Sequence, residues 1–354
     1  MEAADLKSLA DRDARFYHSR PSRDPVEWES DLISIALRLR NDRNVSEEPT
    51  LRLSGSYTAL ATPFDDHARL DMDAWVRMIE AQRSGGSAGI VVAGSTGEGQ
   101  ALDEAEFAQL LDTALRFAGS MQVIAGTGTS STTKTVRMTR FAHQHGAHAA
   151  LIVTPPYVRP TQEGLFRHYV EVATHGNLPV ILYNVPTRTG CDLSPATVAR
   201  LAGLDSIIGI KEAFVSAERL AALLPLVSAD FSVLSGDDAT AAQWMLAGAQ
   251  GVISVASNVV PATFRKLCDH SLSGRADLVA SRMNALMPLL SFLAVESNPI
   301  PLKALLASKG LGSASPRLPL TALSVEHRPA LDALLPALVA LEFSAAAELA
   351  DLSA

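Results

Sequence analysis

Eight short apolar runs, each closed by Gly, Pro, Ser, Asp or a like residue, recur from residue 56 onward at intervals of roughly 20–33 residues. They are SYTALATPF (56–64), AGIVVAGS (88–95), MQVIAGTG (121–128), AALIVTPP (149–156), PVILYNVP (179–186), SIIGIKEA (206–213), FSVLSGDD (231–238) and GVISVASN (251–258). Continuous runs of this kind, with little polar alternation, suit strands buried on both faces, and such strands pair in parallel. Helical patterns fill the intervals. DEAEFAQLLDTALRFA (103–118) opens with Asp103 as N-cap and Glu106 three residues on, and SPATVARLAG (194–203) has Ser194 as N-cap with Pro195 at the first helical position. Eight such units predict an α/β protein with a (β/α)8 barrel, a doubly wound open sheet being the alternative.

After the last run the pattern turns helical at 261–272, 275–294, 299–309 and 325–349, more helix than a barrel needs. The expected division is an N-terminal extension at 1–53 with no assigned function, a barrel at 54–272 and a C-terminal helical region at 273–354. Within the polar extension, WESDLISIALRL (28–39) predicts one short amphipathic helix.

At 354 residues and 47% hydrophobic, the chain has ample material for a core, and its net charge of −8 argues against nucleic acid or an anionic membrane as partner. The two cysteines, Cys191 and Cys268, have no metal-like spacing and suit a reducing, cytoplasmic setting. No secretory pattern opens the chain. The longest uncharged stretch, 239–264, is broken by Gln243, Gly248, Gln250, Gly251, Asn258 and Pro261, so no membrane span is expected there.

In such a barrel the chemistry gathers where strands end. That leaves Ser95 and Thr96 in GSTGEG, Tyr157 in TPPY, Tyr183 and Arg188 in YNVPTRTG, Lys211 in GIKEA, and Ile253 with Ser254 in GVISV. GSTGEG reads either as a tight turn or as a cradle of backbone N–H groups and hydroxyls for an anion; it lacks the Gly-Lys-Ser/Thr of a nucleotide loop. Tyr183 alone reads as a packing residue and Arg188 alone as a solvated charge, although arginine is the best fork for a carboxylate. Lys211 reads either as a strand end reaching water or as an amine in a dry pocket, where burial favours the neutral form that makes Schiff bases with carbonyls. Together these groups suggest a keto-acid site. His143, His145 and His148 lie at a predicted helix end on the opposite face of the barrel, and Asp237 with Asp238 reads as a helix cap, so no metal is expected.

These residues resemble the pyruvate-dependent aldolase family of dihydrodipicolinate synthase and N-acetylneuraminate lyase. GSTGE (94–98), TPPYVRPTQEGL (154–165), YNVPTRTG (183–190), GIKEA (209–213), LSGDD (234–238), GVISV (251–255), ESNPIPLK (296–303) and RLPLT (317–321) stand in the family's order over about 54–338. The resemblance implies a homotetramer built from two tight dimers. It implies that Lys211 forms a Schiff base with pyruvate, that Tyr183 shuttles protons, and that Ser95 links Tyr183 to Tyr157, which reaches a neighbouring subunit's site. Thr96 would hold the pyruvate carboxylate, while Gly236 and Ile253 would lend main-chain carbonyls.

By the same resemblance, Arg188 stands where the synthase branch holds the carboxylate of aspartate semialdehyde. The implied reaction is condensation of pyruvate with L-aspartate 4-semialdehyde for diaminopimelate and lysine synthesis, with no cofactor beyond the covalent lysine–pyruvate intermediate. Ser95, where synthases carry threonine, keeps open another pyruvate aldolase acting on a sugar acid or hydroxy-keto acid; a non-catalytic keto-acid-binding paralogue is the remote third reading. The family's lysine-inhibition positions fall on Glu104, Phe107, Ser130, Lys134 and Pro156. Lys134 would set a cation against lysine's α-amine, so no feedback by lysine is expected.

Overall fold

The computed structural model describes residues 51–351. The stretch 28–39 lies outside them, so the helix expected there is not addressed. Eight strands form one closed, all-parallel barrel in chain order: β1 (Gly55–Ala59), β2 (Gly89–Val92), β3 (Gln122–Gly126), β4 (Ala149–Val153), β5 (Val180–Asn184), β6 (Ile207–Glu212), β7 (Ser232–Ser235) and β8 (Gly251–Ser254). Seven of them lie inside their apolar runs, and β1 begins one residue ahead of its run, at Gly55. The strands are shorter than the runs because the Gly, Pro and Ser residues that close each run form the loops.

The helices between the strands are α1 (Met72–Ser84), α2 (Glu104–Phe117), α3 (Thr132–Gln144), α4 (Gln162–His175), α5 (Pro186–Thr189), α6 (Pro195–Leu201), α7 (Ala217–Leu223) and α8 (Ala241–Leu246). The Asp103–Glu106 capping box opens α2, and Ser194 caps α6 with Pro195 at its first position. Then come α9 (Pro261–Leu272), α10 (Ala276–Leu293), α11 (Ile300–Ser308) and α12 (Arg328–Asp351).

Two apolar layers hold the barrel. Tyr57, Val91, Ile124, Leu151, Ile181 and Ile253 fill its interior, and the outward residues of the same strands pack under the helices with Trp75, Leu110, Leu165 and Phe264. Leu53, fully buried, joins the interior layer just before β1 begins. The helix α12 is long and apolar enough, with the turn before it, to cross a membrane by length and composition, at a mean hydropathy of 1.6. In this structure it is docked on the barrel. Its Glu342 carboxylate accepts the Ala262 and Thr263 N–H groups at 2.7 and 3.0 Å, capping α9 where unpaired donors collect. Lower down, Glu348 pairs with Arg282 at 2.8 Å.

Closure depends on the seam where β8 meets β1, with Gly251 opposite Gly55. A Cβ at Gly251 would lie 2.2 Å from the Gly55 carbonyl oxygen, which no small shift relieves. Gly251→Ala is therefore expected to cost about 3 kcal/mol, the top of the usual range for overpacking a core. Gly203→Ala, whose Cβ would meet only an ordinary 3.6 Å contact, serves as the control. Denaturant unfolding checks this, and equal stability of the two variants would contradict the close approach.

Candidate active site

The strands β5 and β6 place two side chains together. Val180 pairs with Ile207 but Ile181 pairs with Gly209, so β6 carries one extra residue, Ile208, near its start. A bulge of this kind shifts which side chains face inward beyond it. Lys211 consequently points into the barrel mouth opposite Tyr183, its Nζ 4.4 Å from the centre of the Tyr183 ring. The next pair in register, Asn184 with Glu212, faces outward.

Lys211 is 4% exposed. Three lysines are buried among the described residues, and two of them are paired: Lys303 with Glu98 at 2.6 Å and Lys266 with Glu348 at 3.8 Å. Lys211 has no carboxylate within ion-pair distance among the described residues. It is a desolvated amine with an aromatic face for a neighbour. Gly236, at the end of β7, leaves room for it, since a Cβ there would come within 3.0 Å of Lys211 Cε.

Ser95, Thr96, Tyr183, Arg188, Lys211 and Gly236 line one cavity of about 190 Å³. Thr96 is buried and its Oγ1 accepts from Asn298 Nδ2 at 2.9 Å, which leaves its own O–H free to donate to an anion. Arg188 is exposed, and its Nη2 donates to the Asn298 carbonyl at 3.1 Å. One residue thus touches both candidate carboxylate holders. Sequence reasoning gave Asn298 no role, although it lies in the quoted ESNPIPLK motif.

Of the other predicted residues, Ser95 lines the cavity, whereas Tyr157 and Ile253 do not. No direct hydrogen bond joins Ser95 to Tyr183. Tyr157 is 91% exposed, outside the cavity, with a left-handed φ of +74° and its N–H on the Thr189 carbonyl. Ile253 is fully buried in the barrel's interior layer, and Val255, two residues on, reaches the cavity lining.

Around the site, Asp237 Oδ2 takes the Thr240 N–H and hydroxyl; Thr240 is the N-cap position of α8 and no side chain caps the helix itself, so Asp237 holds the turn before the helix and is not the expected cap. Its neighbour also departs from expectation: Asp238 Oδ2 accepts the Val255 and Ala256 N–H groups and so anchors the end of β8. Burial raises the Asp238 carboxyl above its ordinary value. Among the histidines, His145 binds Asp112 and His148 takes the Val123 N–H, which engages two of the three in structure. The described residues contain no group of three or more His, Cys, Asp or Glu that could hold a metal ion. A second cavity, of about 280 Å³, is lined by Glu104, Phe107 and Lys134 among others, and Ser130 donates to the Pro156 carbonyl.

The sequence pattern of the Dihydrodipicolinate synthetase family matches residues 52–338. The 4-hydroxy-tetrahydrodipicolinate synthase of Xanthomonas axonopodis pv. citri is 54% identical over 293 residues, 82% of this chain and 97% of that one. The chloride-inhibited dihydrodipicolinate synthase of Acinetobacter baumannii, solved in complex with pyruvate, is similar at 39% identity and a TM-score of 0.78, covering 80% of this chain and 98% of that one. A structure described as the first monomeric dihydrodipicolinate synthase variant has 37% identity and a TM-score of 0.79, covering 81% and 97%.

Outside the barrel mouth, burial pushes the Glu212 carboxyl from 4.5 up to about 7, against the Phe214 N–H, the Arg219 charge and Asn184, which pull it down. Between those two values the folded chain keeps a proton that the unfolded chain has released, so stability falls as pH rises through the window and levels off above it. Glu212→Gln removes this loss. The stability difference between variant and parent should move in the variant's favour by about 3 kcal/mol from pH 4.5 to pH 8, measured by denaturant unfolding. A constant difference would show Glu212 titrating in the folded chain as it does in the unfolded one.

Proposed function

The chain belongs to the dihydrodipicolinate synthetase family, and we infer that it condenses pyruvate with L-aspartate 4-semialdehyde to 4-hydroxy-tetrahydrodipicolinate, a step of diaminopimelate and lysine synthesis. Relatives at 45–54% identity bear the synthase name, which supports this activity over the sugar-acid alternative that Ser95 had kept open. The observation that carries the reading is the unpaired, buried amine of Lys211 beside Tyr183, in a cavity that also holds Thr96 and Arg188.

Lys211 attacks the ketone carbon of pyruvate, and the carbinolamine loses water to give an iminium. Tyr183 gives a proton to the leaving hydroxyl and serves in the removal of one from the methyl group. The resulting enamine forms a carbon–carbon bond to the aldehyde carbon, and the new alkoxide takes up a proton. The substrate's own amine then adds to the iminium carbon and expels Lys211, closing the ring. Thr96 holds the pyruvate carboxylate, Arg188 that of the aldehyde, and Gly236 and Ile253 lend carbonyls nearby. The iminium is the electron sink, so the chemistry requires neither metal nor organic cofactor.

Tyr157 completes a relay through Ser95 to Tyr183 from a second copy of the chain, in a cytoplasmic homotetramer. Its exposed ring and left-handed backbone, a strain of about 1–2 kcal/mol, support that role. The barrel at 54–272 carries the chemistry and the region 273–354 supports it.

Arg188→Met should raise KM for aspartate semialdehyde about 10–100-fold, the span of a hydrogen bond to a charged group at about 1.5–3 kcal/mol. KM for pyruvate should stay near the parental value, and a turnover assay with each substrate varied reads both. An unchanged aldehyde KM would take the second substrate away from Arg188. With Lys134 lining the neighbouring cavity, sub-millimolar lysine should leave turnover unchanged, and inhibition in that range would contradict the assignment.

A further inference from the structure

Three quoted motifs contain conspicuous charges that take no part in the reaction: Glu98 in GSTGE, Lys303 in ESNPIPLK and Arg317 in RLPLT. The fold brings them to one point. Glu98 Oε1 accepts from Lys303 Nζ at 2.6 Å and Glu98 Oε2 from the Arg317 N–H at 2.8 Å. The Glu98 and Lys303 side chains are only 3% and 2% exposed. Lys303 Nζ and the Arg317 guanidinium both lie over the Phe64 ring, at 4.0 and 4.3 Å from its centre. Arg317 also binds Glu106 and the Ala101 and Ala68 carbonyls. Glu98 itself has a left-handed φ of +51°, a conformation that a non-glycine residue holds only when its surroundings impose it.

A buried ion pair is a poor device for stability alone, because apolar residues of the same volume often serve as well or better. It is a good device for fixing a position, since each oxygen has one short, directed partner. The position fixed here is that of the loop 94–99. Glu98 is two residues from Thr96 and three from Ser95. The same loop is held by Thr62, which donates to the Gly97 carbonyl at 2.6 Å, and by Asn298 on Thr96. Asn298, Lys303 and Arg317 all belong to the region after the barrel.

We propose that Glu98, Lys303 and Arg317 form a positioning device for the pyruvate half of the site, holding the 94–99 loop so that Thr96 meets the substrate carboxylate. The proposal rests on the reading of that loop as the pyruvate cradle. None of the three residues touches substrate. They act through the loop, so their loss affects one substrate and not the other.

The test compares Lys303→Met, Glu98→Gln and Thr96→Val in the full chain, with KM for each substrate, kcat and Tm. Lys303→Met should raise the pyruvate KM on the order of tenfold and leave the aldehyde KM within about twofold, as a displaced binding group does. Glu98→Gln keeps the side chain's shape and an oxygen for the Arg317 N–H; it should fold and show a smaller rise of the same kind. Should Lys303→Met fail to fold, Glu98→Gln decides alone. A lowered Tm with a parental pyruvate KM in the folded variants, while Thr96→Val raises it, would reduce the constellation to a structural role and overturn the proposal. So would an equal rise in both KM values. A silent Thr96→Val would instead overturn the cradle reading beneath it.

Discussion

The pairing of β5 with β6, offset by the single extra residue at Ile208, is the constraint from which the site follows. Side chains alternate along a strand, so without the offset the inward set at Ile208 would continue through Ile210 and leave Lys211 facing the helices. With it, Ile210 joins the outer layer and Lys211 enters the barrel mouth beside Tyr183. The same register assigns Asn184 and Glu212 to the outside, where Asn184 Nδ2 reaches both Glu212 oxygens at 3.0 and 3.1 Å. One ladder therefore supplies a reactive pair inside and a locking pair outside. Gly236, just past β7, then admits the lysine stem, because a Cβ there would crowd it at 3.0–3.1 Å.

The loops complete the site by opposite means. The amine is left without a carboxylate, which costs stability but keeps it free to react; the loop that carries Thr96 is tied down by a fully paired cluster of charges. Each group is buried for a different end. Rigid support sits under the proposed binding groups, and Lys211, the buried lysine without a carboxylate partner among the described residues, sits where the Schiff base is proposed to form, the pattern expected where activity and stability compete. The C-terminal region contributes through Asn298, Lys303 and Arg317, and so belongs to the function as well as to the fold.

Much of this was legible in the sequence, for physical reasons. Strands buried on both faces read as unbroken apolar runs, so all eight stood out, and the Asp103–Glu106 and Ser194–Pro195 signatures marked helix starts because capping is local. Lys211, Tyr183, Thr96 and Arg188 were visible as polar residues at strand ends. The contacts between distant segments were not. Asn298 meets Thr96, and Lys303 meets Glu98, across some two hundred residues, and neither spacing nor periodicity carries that information. Asp238 looked like its neighbour Asp237, yet serves β8. The bulge at Ile208 leaves no compositional mark. Tyr157 is exposed in the single chain, so its proposed partner is not legible in one sequence.

The most direct measurement incubates the protein with pyruvate, reduces it with borohydride, and locates the added mass by peptide mapping. The account predicts one stoichiometric adduct, on the peptide containing Lys211, and none in Lys211→Ala. A missing adduct in the parent, or one that survives in Lys211→Ala, would contradict it and leave Lys211 as the charged end of a strand.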